Sequence, residues 1–213
     1  MKRIEPNWEE NAWPLVDAKK IIGNSISFKG LNKTLKLRNK LLEFKLNDEE
    51  KISQEFLNKF KKKSFEGNLE EYYLRKTAME NSNHIHNNPH GNGFSIYMDA
   101  PYQIILVKDK KFIANAGFTP SKKSILIQQI QGVKCAEEKL KPLKWSKMLI
   151  KIITNWAEDM KIENAYLLPH KRNIWGQVGD NRTGTKKLIY DVTAKREGFK
   201  YDPKKEVYVK RLQ

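Results

Sequence analysis

The sequence predicts an α/β fold of the α+β kind: a mixed, mostly antiparallel sheet flanked by helices, with an extension at the N-terminus. Three observations predict it. Residues 102–133 hold three apolar runs separated by two short polar turns, the pattern of an antiparallel meander. Residues 145–160 place Met148, Leu149, Ile152, Ile153 and Trp156 on one face of an amphipathic helix. A proline-stopped apolar strand, a further helical stretch and an alternating C-terminal strand then follow in order.

Taken in order, residues 1–40 read as the extension, with Trp8 and Trp13 near Pro6 and Pro14 as an irregular arm pinned by indoles. Ser25–Phe28 and Leu42–Leu46 alternate apolar and polar residues and read as strands. Asn47-Asp48-Glu49-Glu50 has the composition of a helix start, and Ile52, Phe56, Leu57 and Phe60 continue at helical spacing. Lys61–Lys63 places cations where that helix would end. After Gly67-Asn68, residues 69–79 read as a second helix, and residues 81–93 as a loop. Tyr102–Lys108, Phe112–Phe118 and Ser124–Val133 are the meander strands, and Lys134–Pro142 is a charged connection. Trp145–Met160 is a helix, Ala165–Leu168 a strand stopped by Pro169, and Thr185–Glu197 a helix ended by Gly198. Glu206–Leu212 closes the chain as a strand.

The chain has 213 residues and a formal net charge of +16. Nineteen basic side chains against ten acidic ones in residues 134–213 place over half of that excess in the last 80 residues. Such a surplus favours anionic partners: nucleic acid, a ribonucleoprotein, a phosphorylated cofactor or an acidic protein. Its plainer reading is lysine on solvated faces, since arginine is the usual choice for phosphate forks. No apolar run is long enough to span a membrane, and residues 1–6 lead into no export signal. With a single cysteine, Cys135, there is no intramolecular disulfide framework. Together these features predict a cytoplasmic protein.

Few motifs point to chemistry. His84, His86 and His90 in the 81–93 loop could converge on a metal, but no thiol or carboxylate accompanies them within it. The loop reads instead as a mobile segment over a cleft, and no metal is expected. Zinc, Walker, dinucleotide-binding and nucleophile-elbow patterns are all missing from the sequence.

The order from about residue 40, with Ala194-Lys195-Arg196-Glu197-Gly198-Phe199 and Val207-Tyr208-Val209 near the end, resembles the GNAT superfamily of N-acetyltransferases. On that resemblance residues 41–213 form the acyltransferase domain and acetyl-CoA is the acyl donor. The resemblance implies that the last meander strand splays from the next strand. Gln129, Ile130, Gln131, Gly132 and Val133 would then meet the pantetheine arm, with hydrogen bonds from Gln131 and Val133. It also implies that the helix start at Trp145, with Lys139, Lys141 and Lys144 nearby, meets the phosphates. A glycine at 132 suits a bulge or a close ligand approach.

The family's phosphate loop carries small residues where Leu143 and Trp145 stand here, and its usual tyrosine position holds Ala194. Tyr190, one turn earlier, is either the proton donor to a departing thiolate or a packing tyrosine. No acid lies between Lys111 and Val133, so no glutamate base sits on the last two meander strands. His170, after the Leu167-Leu168-Pro169 strand end, is the candidate base. Asp191 reads as an exposed helix acid, and Trp175 in Lys171–Gly176 as a buried indole. Two functions follow: an acetyl-CoA-dependent N-acyltransferase, or a non-catalytic binding module on the same scaffold whose basic face grips nucleic acid or an acidic protein.

Overall fold

Asp109 and Lys110 both adopt left-handed backbone, with φ of 50° and 57°. Two such residues make the tight turn whose twist suits a hairpin, and they join strand β3 (Tyr102–Lys108) to β4 (Lys111–Pro120). A second polar turn, fixed by Ser121 Oγ accepting from Ser124 N–H at 3.1 Å, leads to β5 (Ser124–Gly132). The meander is therefore present. It belongs to a computed structural model that describes residues 20–23, 48–78, 100–133, 136–172 and 188–212. The readings for Trp8 and Trp13, for strands at 25–28 and 42–46, for the 81–93 loop and for Trp175 lie outside the described residues.

Eight strands form one sheet in the order β1-β2-β3-β4-β5-β6-β8-β7. Here β1 is Glu49–Lys51, β2 Tyr73–Ala78, β6 Asn164–Leu167, β7 Lys200–Asp202 and β8 Val207–Arg211. Every neighbouring pair is antiparallel except β5 and β6. This is the mixed, mostly antiparallel α/β sheet the sequence predicts.

Two expectations fail at the start of this order. The helix begins not at Asn47–Glu50 but at α1 (Gln54–Phe60), capped by Ser53, whose Oγ accepts from Phe56 N–H at 3.3 Å. Glu49–Lys51 is instead a charged edge strand, with Glu50 3.5 Å from Lys76. Charge on an edge strand guards against pairing with another sheet. The predicted second helix over 69–79 is replaced by β2, which pairs on both sides with β1 and β3. Tyr73, Leu74 and Thr77 suit a strand, and two-sided pairing overrides their helical spacing.

Helix α2 (Glu137–Leu140) lies within the charged connection, and α3 (Trp145–Asp159) follows. Met148, Leu149, Ile153 and Trp156 of α3 are buried as expected, whereas Ile152 is half-buried. Ala114, Ala116, Phe118, Ile125, Ile127 and Ile130 lie in the same core cluster as that face. The last helical stretch is a π turn (Leu188–Val192) running into α4 (Thr193–Arg196). It closes on Gly198 (φ 82°), where Phe199 N–H returns to Ala194 C=O at 3.0 Å. A second, smaller cluster holds Leu126, Tyr166, Leu168 and Val207 with Ile21, from one helical turn at 20–22. Among the described residues no helix is long and apolar enough to cross a membrane.

Candidate functional site

The two central strands part company early. β5 and β6 pair in parallel over four residues only, Ser124–Ile127 against Asn164–Leu167. Leu168 N–H donates to Ile127 C=O at 3.0 Å where this pairing ends. Pro169 has no N–H to donate, and the chain turns away into a 3-10 turn at His170–Arg172. At the same level β5 carries a bulge: Gly117 faces Gln129 and Phe118 faces Ile127, which leaves Gln128 as the extra residue. Thr119 Oγ1 bonds to the Gln128 side chain there. Among the described residues, β5 beyond Ile127 therefore has no strand on its β6 side.

Strand alternation decides which main-chain groups face this opening. Val133 N–H donates to Ile113 C=O at 2.9 Å, so Val133, Gln131 and Gln129 turn their main-chain groups toward β4. Ile130 and Gly132 turn theirs outward, in place of the Gln131 and Val133 expected. Ile130 N–H donates to Tyr190 Oη at 2.8 Å. The π turn carries Tyr190, which is buried to 4% exposure, so its hydroxyl enters the opening from the α4 side. An extra residue in a helical turn re-aims side chains in this way, and π turns recur at functional sites.

Beyond Gly132 the chain fills its own space. A Cβ at Gly132 would meet Leu140 Cδ1 and the Trp145 ring, each at 3.1 Å. The connection before α3 is bound to the end of α1: Lys144 N–H donates to Phe60 C=O and Lys62 N–H to Pro142 C=O, both at 2.8 Å. Lys141 N–H and Leu143 N–H go to Glu137 and Leu140 carbonyls, at 2.8 and 3.1 Å. Lys144 caps α3 without a side-chain bond. Lys141 lies 3.6 Å from Glu138, and Lys139 pairs with Asp109, whose carboxyl that hydrogen bond holds below the usual range. Ser146 Oγ meets Thr193 Oγ1 at 3.3 Å and Lys147 meets Glu197 at 2.7 Å, which tie α3 to α4 along one flank.

His170 meets the π turn one residue beyond Tyr190. Its main-chain N–H donates to Asp191 Oδ1 at 3.1 Å. It lines a groove of about 470 Å³ with Pro169, Lys171, Asp191, Lys195, Tyr201 and Tyr208. The structure thus brings Tyr190 to Ile130, Gly132 to Trp145, and His170 to Asp191.

Sequence reasoning missed a row of amides on the second face of the sheet. Asn115 Nδ2 donates to Gln103 Oε1 (3.0 Å), Gln103 Nε2 to Gln129 Oε1 (3.1 Å), and Gln129 Nε2 to Gln131 Oε1 (3.0 Å). Gln103, Asn115 and Gln129 are buried. Gly117 makes room for the row, since a Cβ there would lie 3.1 Å from Gln129 Oε1. The available signal was amides inside the apolar strands at second-face phase, Gln103, Asn115, and Gln129 with Gln131.

A meander, a parallel step and an opening beside the following helix make up the arrangement expected of a GNAT acetyltransferase fold. Among solved structures the chain is similar to Ard1 from Thermoplasma volcanium, at 8% identity and TM-score 0.34, covering 52% of this chain and 70% of that one. It is similar to the GNAT family N-acetyltransferase YhbS from Escherichia coli in complex with CoA, at 10% identity and TM-score 0.35, over 54% and 60%. Tetrahymena GCN5 matches at 11% identity and TM-score 0.32, over 53% and 68%. The likeness is slight in each. No family model and no curated protein matches the chain.

Proposed function

We propose that the chain is an acetyl-CoA-dependent N-acyltransferase acting at the opening between β5 and β6. The observation that carries this reading is the meeting of an outward-facing main-chain N–H, at Ile130, with the hydroxyl of Tyr190 at 2.8 Å. Acetyl-CoA supplies an activated acyl thioester. Ile130 N–H, on a fixed strand, holds the Tyr190 hydroxyl in place at the opening. Tyr190 Oη beside it suits the return of a proton to a thiolate. The chain fits the thioester end of the donor better than the phosphate end. At the latter, the N–H groups of Lys141, Leu143 and Lys144 already bond within the chain, leaving the first turn of α3 and the Lys144 ammonium to meet phosphate. The cytoplasmic location remains part of the reading, on the single Cys135.

The test is a thermal-shift titration with acetyl-CoA and CoA, paired with free-thiol release in the presence of amines. Ligand at a hundredfold excess over Kd stabilises a protein by about 2.7 kcal/mol, enough to register clearly. Tyr190→Phe is expected to keep CoA-dependent stabilisation and to lose transfer by about 10²–10⁴-fold. The second reading, a non-catalytic module, draws on the Leu140 and Trp145 packing over Gly132 and on the spent loop N–H groups. Absence of any CoA-dependent shift would decide for it.

A further inference from the structure

The groove that Asp191 of the π turn lines has chemistry that acyl transfer does not use. Its floor is aromatic. Tyr201 is 40% exposed, the one large hydrophobic side chain so exposed among the described residues, and it stands edge-on to Tyr208 at 5.4 Å. Lys171 Nζ lies 5.8 Å from the Tyr201 ring centre, and Lys195 lines the same groove from α4. Neither of these two lysines forms an ion pair among the described residues. The nearby acids are engaged elsewhere: Glu197 with Lys147, and Asp202 Oδ1 with the N–H groups of Lys204 and Lys205, at 2.9 and 3.3 Å. Asp191 gives one oxygen to His170 N–H and borders the groove.

We infer that this groove binds single-stranded nucleic acid, one base stacking on Tyr201 and flanking phosphates meeting Lys171 and Lys195. An exposed aromatic plane beside cations that form no ion pair among the described residues is an arrangement that holds unpaired bases, because every base has a π face and every linkage a charge. Asp191, an acceptor, favours a base with an exocyclic amino group, such as cytosine, over uracil. The volume of about 470 Å³ accommodates one nucleotide unit rather than a duplex. The inference does not rest on acyl transfer, since neither Tyr190 nor any residue of β5 lines the groove.

The experiment is fluorescence anisotropy of the full chain with a labelled 12-residue cytidine RNA, a uridine RNA, the matching duplex and a cytidine DNA strand. Expected are tighter binding of either cytidine strand than of uridine or duplex, and a loss of about tenfold in Tyr201→Ala, within the range for a stacked base. Tyr201→Phe should restore binding. Lys195→Ala should lower the slope of log affinity against log salt by about 0.7, the value for one single-strand phosphate contact. Tyr190→Phe should bind RNA as the native chain does. Equal affinity for duplex and single strand, or undiminished binding by Tyr201→Ala, would mean charge alone acts and would overturn the inference. So would displacement of the RNA by CoA, which would make the groove an end of the cofactor site.

Discussion

Gly132 and Trp145 form a pair in which each explains the other. The glycine's bare face lets the indole and Leu140 lie against β5, so its role is one of packing inside the chain. Gly132→Val should overfill that contact and cost about 1–3 kcal/mol in urea unfolding. Read along the sequence, a strand-end glycine equally suits a close ligand, and only the partner residues distinguish the two. Trp156 was easier to read, because its helical phase alone turned it inward. It packs on Phe118 with ring centres 5.4 Å apart. Trp156→Ala should lose about 3–5 kcal/mol by the same measurement. Tyr190→Phe should also destabilise, by about 1–3 kcal/mol, since it leaves the buried Ile130 N–H without that acceptor.

Elements were legible where local rules act without help. The two-residue turn at Asp109-Lys110, the stripe of α3 and the glycine closing α4 all appear where periodicity and turn chemistry put them. Gly198 gives a clean test, because a Cβ there would meet nothing within 4 Å and only its φ of 82° resists substitution. Gly198→Ala should therefore lower stability by about 1 kcal/mol, visible as a drop in Tm of several degrees or less. Misreadings came where a partner element supplied the decision. Residues 73–78 have a workable helical stripe, yet all six pair with β3, and 73–75 pair with β1 as well. The π turn is equally unreadable, since one residue more or less per turn leaves the apolar pattern nearly unchanged.

At the scale of the whole molecule, burial couples stability to alkaline pH. Tyr72 and Tyr102 are both pushed from about 10 up to about 12, by desolvation first, with Glu70 and Asp109 adding to the effect at Tyr72. Tyr72 Oη donates to Lys139 C=O at 2.7 Å, a bond the phenolate would lose. In the window between the two values the unfolded chain has shed these protons and the folded chain holds them. Their contribution is complete below about pH 10 and falls as pH rises toward 12. Urea midpoints measured from pH 9 to 12 should decline, and Tyr72→Phe with Tyr102→Phe should flatten that decline.

The sequence by itself determined the α+β class, the meander, the main amphipathic helix and the basic C-terminal portion, because periodicity, turn residues and charge act between near neighbours. Only tertiary structure decided what surrounds the opening. Ile130 and Tyr190 stand 60 residues apart, and Phe60 and Lys144 further still, yet their main-chain bonds fix the hydroxyl and the loop before α3. Which of the five residues from Gln129 to Val133 faces outward depended on the register of β5 against β4 and on the bulge at Gln128. Such choices are settled by where a distant segment lands, since a single-residue shift reverses every edge and face of a strand.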